Sequence, residues 1–278
     1  MPDFFRDARL FAFDLDGTLY VGEEAVPGAV ELVARLRASH KIAYFTNNSR
    51  NTAVEVREKL ARLGFEVRDG EVSTSAAAAV RYLKDAGIDD LYVVGSDGLR
   101  REIAAAGLRI AAEGSAKNLV VGLDNDFSYQ KVAAALSILM GGGRFVACNV
   151  DARFPVGQGR YLPGCGAMVA AIAAAAGRNP DFVAGKPNDY LLAVIAQARG
   201  VEPGEIVVVG DSAESDVAMA LRYGCKAVLV GSPPCDVDAA VLAVEDLQGL
   251  QAAIGEAQYE PPAGGAFAAS AVGCGGSE

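Results

Sequence analysis

Tryptophan is absent from the chain, and histidine occurs once, as His40. One histidine removes most Ser-His and Cys-His mechanisms, and its place between a helical pattern and an apolar run reads as an exposed junction. Cysteine is sparse and scattered: Cys148, Cys165, Cys225, Cys235 and Cys274 form no C-x-x-C pair. That spacing argues against a disulfide framework and for free thiols in a reducing, cytoplasmic setting. Basic residues are in deficit, 25 Lys and Arg against 35 Asp and Glu, a net charge of −10 over 278 residues. Such a balance disfavours the broad phosphate-binding footprint of a nucleic-acid partner, although a small anion site remains open. No apolar run reaches the ~20 residues of a membrane span. The most apolar stretch, GCGAMVAAIAAAAG at 164–177, reads instead as a buried helix. The first residues show no basic segment followed by an apolar core, so no signal peptide is expected.

What the chain does have is rhythm. Short apolar runs alternate with amphipathic stretches, the pattern of α/β proteins built on parallel sheets. The expected strands are Leu10–Phe13, Ile42–Phe45, Leu91–Val94, Leu119–Gly122, Phe145–Cys148, Phe182–Ala184, Ile206–Val209 and Ala227–Val230. The expected helices are Ala29–Ala38, Thr52–Leu63, Ser75–Ala86, Leu99–Ala106, Tyr129–Met140, Met168–Ala176, Tyr190–Arg199 and Ala213–Tyr223. In such sheets ligands bind at the carboxyl ends of the strands, so the residues just after each run matter most.

Four of those ends carry chemistry. Asp14-Leu15-Asp16-Gly17-Thr18 follows the first strand and Thr46-Asn47-Asn48-Ser49 the second; Gly185-Lys186-Pro187-Asn188 and Asp211 with Asp216 come later. Two carboxylates two residues apart crowd each other's charge, and a hard cation relieves it. Mg²⁺ takes oxygen ligands, which Asp14, Asp211 and a backbone carbonyl can supply. An ionised aspartate beside it can attack phosphorus, while a protonated one can serve the leaving oxygen. Thr46 and Asn47 are short donors for a phosphoryl oxygen, and Lys186 adds a point charge. Each segment alone has a bland explanation, an acidic turn or a helix cap; their joint occurrence in this order points to phosphoryl transfer. The ends at Gly95–Asp97, Asp124–Asp126 and Asn149–Asp151 read as ordinary turns.

DLDGT, FTNNS, GKP and GDSAESD resemble the ordered motifs of the haloacid dehalogenase-like hydrolase superfamily. LVVGLDNDFSYQKVAAAL, FVACNVDARFP and GRYLPGCGAMVAAI resemble the large insert of its NagD-like branch, whose relatives include para-nitrophenylphosphatases and phosphoglycolate phosphatases. The resemblance implies a Rossmann-like parallel-sheet core, residues 1–78 and 182–256, interrupted by an α/β cap domain at 79–181. Residues 257–278 read as a flexible Gly/Ala-rich tail. It implies Asp14 as nucleophile, Asp16 as acid and base, and Thr46, Asn47 and Lys186 as phosphate holders. Mg²⁺ would be held by Asp14, the Asp16 carbonyl and Asp211, with Asp216 behind it. The expected activity is a Mg²⁺-dependent phosphatase for small phosphomonoesters, with a phosphotransferase or phosphomutase using the same aspartyl-phosphate as the alternative. A dehalogenase would need neither Asp16 nor Asp211, and a dinucleotide site is unsupported because Val169 takes the third glycine position of G-x-G-x-x-G. The expected partners are a small phosphorylated metabolite and, at most, a second copy of the chain in a homodimer. The loop Asn149–Gly164 should face Asp14, with Arg153 and Phe154, together with Asn48, as candidate substrate contacts.

Overall fold

A computed structural model describes residues 4–155, 160–233 and 236–258. The first stretch runs through β1 (Leu10–Asp14), the hairpin of β2 (Tyr20–Val21) and β3 (Glu24–Ala25), α1 (Ala29–Arg37), β4 (Lys41–Thr46), α2 (Ala53–Arg62), β5 (Val72–Thr74) and α3 (Ser75–Asp85). There follow β6 (Leu91–Val94), α4 (Asp97–Ala105), β7 (Asn118–Val121), α5 (Tyr129–Met140) and β8 (Phe145–Ala147). Next come the hairpin of β9 (Arg153–Pro155) and β10 (Tyr161–Pro163), α6 (Cys165–Ala176) and β11 (Phe182–Val183). The last stretch holds α7 (Tyr190–Arg199), β12 (Ile206–Gly210), α8 (Ala218–Tyr223), β13 (Lys226–Val230), β14 (Asp236–Asp238), β15 (Val241–Val244) and α9 (Leu247–Gln258). Among the described residues no helix is long and apolar enough to cross a membrane.

Two sheets organise these elements. The larger has the order β14-β15-β13-β12-β1-β4-β5, and only β14 runs antiparallel to its neighbour. The smaller has the order β11-β8-β7-β6 and is parallel throughout. Strand β1 sits inside the larger sheet and is buried along its whole length. Alternation along it feeds two faces. Phe11 and Phe13 pack with Leu32 and Leu36 of α1 and Leu250 of α9, while Leu10 and Ala12 join a cluster on the other face. That second cluster also contains Ala79 and Leu83 of α3, Leu191 and Ile195 of α7, and Val93, Val120 and Val146 of the smaller sheet. One apolar cluster therefore includes both sheets and the helices between them. A further one, with Leu119, Phe145, Met168 and Ile172, fills the other side of the smaller sheet.

All eight expected strands form, with ends displaced by one residue at most. Strand β11 opens the chain's return and pairs with β8 of the smaller sheet, so the passage back to the larger sheet begins after Val183. Three differences have physical reasons. The Ala-rich stretch forms α6, but only one side of it is buried: Met168, Val169 and Ile172 face inward while Ala167, Ala170, Ala171, Ala174 and Ala175 are exposed. Alanine favours the helix without needing burial. Residues Ala213–Val217 form a π turn ahead of α8, where an unbroken α-helix was expected; Val217 N–H donates to the Ser212 carbonyl. His40 is half-buried, its ring edge-on to Phe11 at 5.0 Å. Cys148, Cys165 and Cys225 are buried free thiols; Cys235, Cys274 and most of the expected tail lie outside the described residues.

The loop after β4 is seated against the smaller sheet's carboxyl edge. The Ser96 hydroxyl, which caps α4, donates to the Arg50 carbonyl at 2.7 Å. Leu123 N–H donates to Ser49 Oγ at 2.9 Å. Gly98 in the first turn of α4 lies so close that a Cβ there would fall 2.0 Å from the Arg50 carbonyl oxygen. In an open helix Gly98→Ala would stabilise by about 1 kcal/mol. Here it should destabilise by about 1–3 kcal/mol, the usual cost of overpacking. Urea unfolding of the variant measures the sign, and a gain in stability would show that the packing there is loose.

Candidate active site

The carboxyl ends of β1, β4 and β12 come together with the loop after β11. Asp14 ends β1 and is buried; Lys186 is buried beside it, and its ammonium donates to Asp14 Oδ1 and to Asp216 Oδ1, both at 2.7 Å. Carboxylate oxygens of Asp14, Asp211 and Asp216 lie within 4.8 Å of one another. The π turn serves this arrangement, because it lets Asp216 fold back under the end of β12. Its Oδ2 accepts from Ser212 N–H at 3.1 Å, and a Cβ on Gly210 would lie 2.4 Å from that carboxylate. Asp211 is exposed and accepts from Thr18 Oγ1 at 3.3 Å.

Gly17 makes the turn after β1 possible. Its φ of +93° is a left-handed conformation that side chains resist, and a Cβ there would lie 2.4 Å from Asp211 Oδ2. The backbone of this turn thus runs directly against the Asp211 carboxylate. Asp16 is solvent-accessible on the rim of the site, and Tyr20 Oη donates to its Oδ2 at 3.1 Å.

The electrostatics are those of a site short of positive charge. Burial pushes the Asp14 carboxyl well above the usual carboxylate range; Lys186 pulls it down, and Asp216 and Asp211 push it up again. Burial followed by Asp216 raises Asp211 as well. Burial works against the Lys186 ammonium, but Asp14 and Asp216 outweigh it and hold it protonated. Asp16 is raised by the protein surrounding its carboxyl, against the pull of Lys59 and the Tyr20 hydroxyl. Three carboxylates against one ammonium leave negative charge over, all of it on hard oxygen donors. That donor set fits a divalent cation of the Mg²⁺ kind and offers no soft ligand.

Thr46 ends β4 and Asn47 follows it, beside this cluster. Thr46 Oγ1 accepts from Asn48 N–H at 3.0 Å, which leaves its hydroxyl proton to donate elsewhere. The Asn47 side chain is engaged on both sides. Its Oδ1 accepts from Lys186 N–H at 2.8 Å, and its Nδ2 donates to the Lys186 carbonyl at 3.2 Å and to both oxygens of Asp151 at 3.0 and 3.1 Å. Asn149 Nδ2 and Ser75 Oγ converge on the Asn47 carbonyl at 2.6 and 2.7 Å. There is no room for a larger neighbour: a Cβ on Gly185 would lie 2.3 Å from Asn47 Oδ1.

Asn149 and Asp151, read as an ordinary turn at the strand's end and also as the start of the loop expected to face Asp14, are part of the site's framework. The signal that could have found them is their position at a strand's carboxyl end, as with the four loaded segments. Asn48, expected to meet substrate, holds its own turn: its Oδ1 accepts from Arg50 and Asn51 N–H, and its Nδ2 donates to Asn51 Oδ1. Arg153 and Phe154 lie on β9. Arg153 is exposed with its guanidinium 5.1 Å from the Tyr161 ring centre, and Phe154 is half-buried. Residues 156–159 of the same loop lie outside the described ones.

Residues 11–109 match the family model described as haloacid dehalogenase-like hydrolase, and residues 183–243 match that of HAD-like hydrolases. An acid sugar phosphatase of Staphylococcus haemolyticus is 31% identical over 228 residues, covering 81% of this chain and 86% of that one. A 4-nitrophenylphosphatase from Thermotoga maritima has a TM-score of 0.83 at 28% identity, covering 90% of this chain and 99% of that one. NagD of Escherichia coli K-12 has a TM-score of 0.74 at 28% identity, covering 80% and 87%.

Asn47→Ala should cost about 2–4 kcal/mol of stability. It removes a side chain that satisfies the Lys186 N–H and the buried side of Asp151, and buried groups left unpaired cost about 1–3 kcal/mol each. Denaturant unfolding reads this; a loss below the level of one such group would mean that water replaces the amide freely.

Proposed function

The chain belongs to the haloacid dehalogenase-like hydrolases, in their NagD-like branch, and from that premise we propose a Mg²⁺-dependent phosphatase that hydrolyses small phosphomonoesters through an aspartyl-phosphate. The observation that carries this reading is the buried Asp14 at the end of β1, 2.7 Å from Lys186 and clustered with Asp211 and Asp216. The branch includes a 4-nitrophenylphosphatase, and the acid sugar phosphatase relative fits the same class of phosphoric monoester hydrolases.

In the first step an oxygen of Asp14 forms a bond to phosphorus as the ester oxygen departs. Asp16, on the rim and raised toward its acid form, gives that oxygen a proton. In the second step Asp16 takes the proton of a water whose oxygen bonds phosphorus, and the Asp14–phosphorus bond breaks. Phosphate is released and both aspartates return to their starting states. Lys186, the Thr46 hydroxyl and the main-chain N–H of Asn47 hold the phosphoryl oxygens; the Asn47 side chain holds the loops instead. Asp14, the Asp16 carbonyl and Asp211 would hold Mg²⁺, with Asp216 behind. The ion would supply the positive charge that the three carboxylates lack and would shield the phosphoryl group from Asp14.

We assign residues 1–78 and 182–256 to the catalytic core and 79–181 to the cap, with Phe182 and Val183 of β11 still paired to the smaller sheet as the chain returns. The contact of Asp151 with Asn47 supports a role for the following residues, Arg153 and Phe154, in meeting the leaving group. The buried free thiols fit a cytoplasmic enzyme.

Asp14→Asn should remove turnover of 4-nitrophenyl phosphate, since an amide is neither a nucleophile here nor a good ligand for a hard cation. Substantial residual turnover rejects the aspartyl-phosphate. Asp16→Asn should slow alkyl phosphates by roughly 10²–10⁴-fold, the range for a general acid, and aryl phosphates less, because their leaving group needs less help. Equal losses count against Asp16 as the acid. Chelation by EDTA should stop hydrolysis, and Mg²⁺ should restore it.

A further inference from the structure

A hollow of about 580 Å³ opens at the other edge of the larger sheet. Arg9 precedes β1 and Lys41 begins β4, whereas Asp14 ends β1. The length of that strand, about 15 Å at the usual rise per residue, separates the two places. Arg9, Arg37, Lys41, Arg68 and Arg199 line the hollow, and among the described residues Glu71 is the only carboxylate residue in its wall. In a chain of net charge −10, five cations around one cavity run against the overall balance.

Their partners do not account for all of them. Arg37 forks onto both Glu71 oxygens at 2.7 Å, Arg9 meets Glu205 at 3.1 Å, and Arg68 meets Glu66 at 2.8 Å. The Lys41 ammonium donates to the Arg199 carbonyl at 2.6 Å, and Arg199 donates to the Gly70 carbonyl at 3.2 Å with Glu71 standing 3.8 Å away. Lys41 and Arg199 thus rest mainly on neutral carbonyls. Arg37 is only 6% exposed, and its Nε has no hydrogen-bond partner; Glu66 Oε2 is 3.9 Å away. It is the one buried side-chain nitrogen or oxygen so left among the described residues. A buried donor without an acceptor is costly; the rest of the guanidinium also donates to the Glu66 carbonyl at 2.8 Å and to the Tyr44 hydroxyl at 3.4 Å.

We propose that this cavity is a second anion site, separate from the Asp14 site, which binds the phosphate of a small phosphorylated metabolite. Guanidinium groups match phosphate oxygens in fork geometry. The volume falls within the range of pockets for small ligands, about 300–1,000 Å³, and exceeds what a lone phosphate needs. Phosphate oxygens would accept from Lys41 and Arg199, the buried Arg37 guanidinium would add positive charge behind them, and the existing ion pairs would stay in place.

The test is hydrogen exchange on the full chain, with EDTA present, using inorganic phosphate and adenosine diphosphate as probes. A phosphate-bearing probe should protect residues 8–9, 37–42, 68–71 and 198–199, in the wild type and equally in Asp14→Asn. The double variant Lys41→Gln/Arg199→Gln should bind about tenfold more weakly or worse, since removing a charge-assisted hydrogen bond weakens binding by that order. Its hydrolysis of 4-nitrophenyl phosphate should match the wild type. Protection by both probes identifies phosphate itself as sufficient; protection by the nucleotide alone identifies a larger metabolite. Protection confined to the Asp14 site, undiminished binding by the double variant, or no binding of either probe would overturn the proposal. The protection and binding readouts do not depend on the chain being a phosphatase.

Discussion

The Lys186 ammonium, shared between Asp14 and Asp216 at 2.7 Å each, is the contact on which the rest of the site depends. It draws together three segments far apart in the chain: the end of β1, the loop after β11 and the π turn after β12. Without it, three carboxylates within 4.8 Å of one another would repel in a place where burial already disfavours their charge. One ammonium is not enough to neutralise them. The remaining deficit is what makes the site receptive to a hard cation and to a substrate that brings its own cation-seeking phosphate.

Asn47 is the second point of convergence, and its role is mechanical. Its side chain meets the main chain of Lys186 on one side and Asp151 on the other, while its carbonyl takes Asn149 and Ser75. The loop that carries Thr46 is therefore gripped by the larger sheet and by the carboxyl edge of the smaller one. Ser49, Arg50 and Gly98 continue the same seam. The glycines along it answer to space: at Gly185 and Gly98 a single methyl group would collide with the partner strand end or loop. Residues that would contact a leaving group are thus delivered to the site by a seam that the phosphate-holding loop itself forms.

The strands and the four loaded segments were legible because both signals are local. A run such as IVVVG buried on both faces has few alternatives to a central parallel strand, and a carboxylate or short donor directly after it stands at a known edge. Strand β5, with the sequence VST, and the short hairpins have no such run, and pairing with a neighbour is what makes them strands. In α6 the residues that turn inward are the large apolar ones, Met168, Val169 and Ile172, while the alanines between them face solvent, so the stretch is buried on one side rather than throughout. The π turn depends on Asp216 reaching back beneath Gly210, a long-range contact that GDSAESD alone does not announce.

By itself the sequence determined the class of the fold, the identity of the acidic and donor groups, and the phosphoryl chemistry they suit. Those follow from period, residue type and position after a strand, all of which are readable within a few neighbours. Only the tertiary structure decided which groups touch. It placed Asn149 and Asp151 against Asn47, turned the Asn48 side chain into its own loop, and assembled five cations at the amino edge of an acidic protein's sheet. The reason is that strand order β12-β1-β4 sets residues about 200 positions apart side by side, and no local pattern encodes that adjacency.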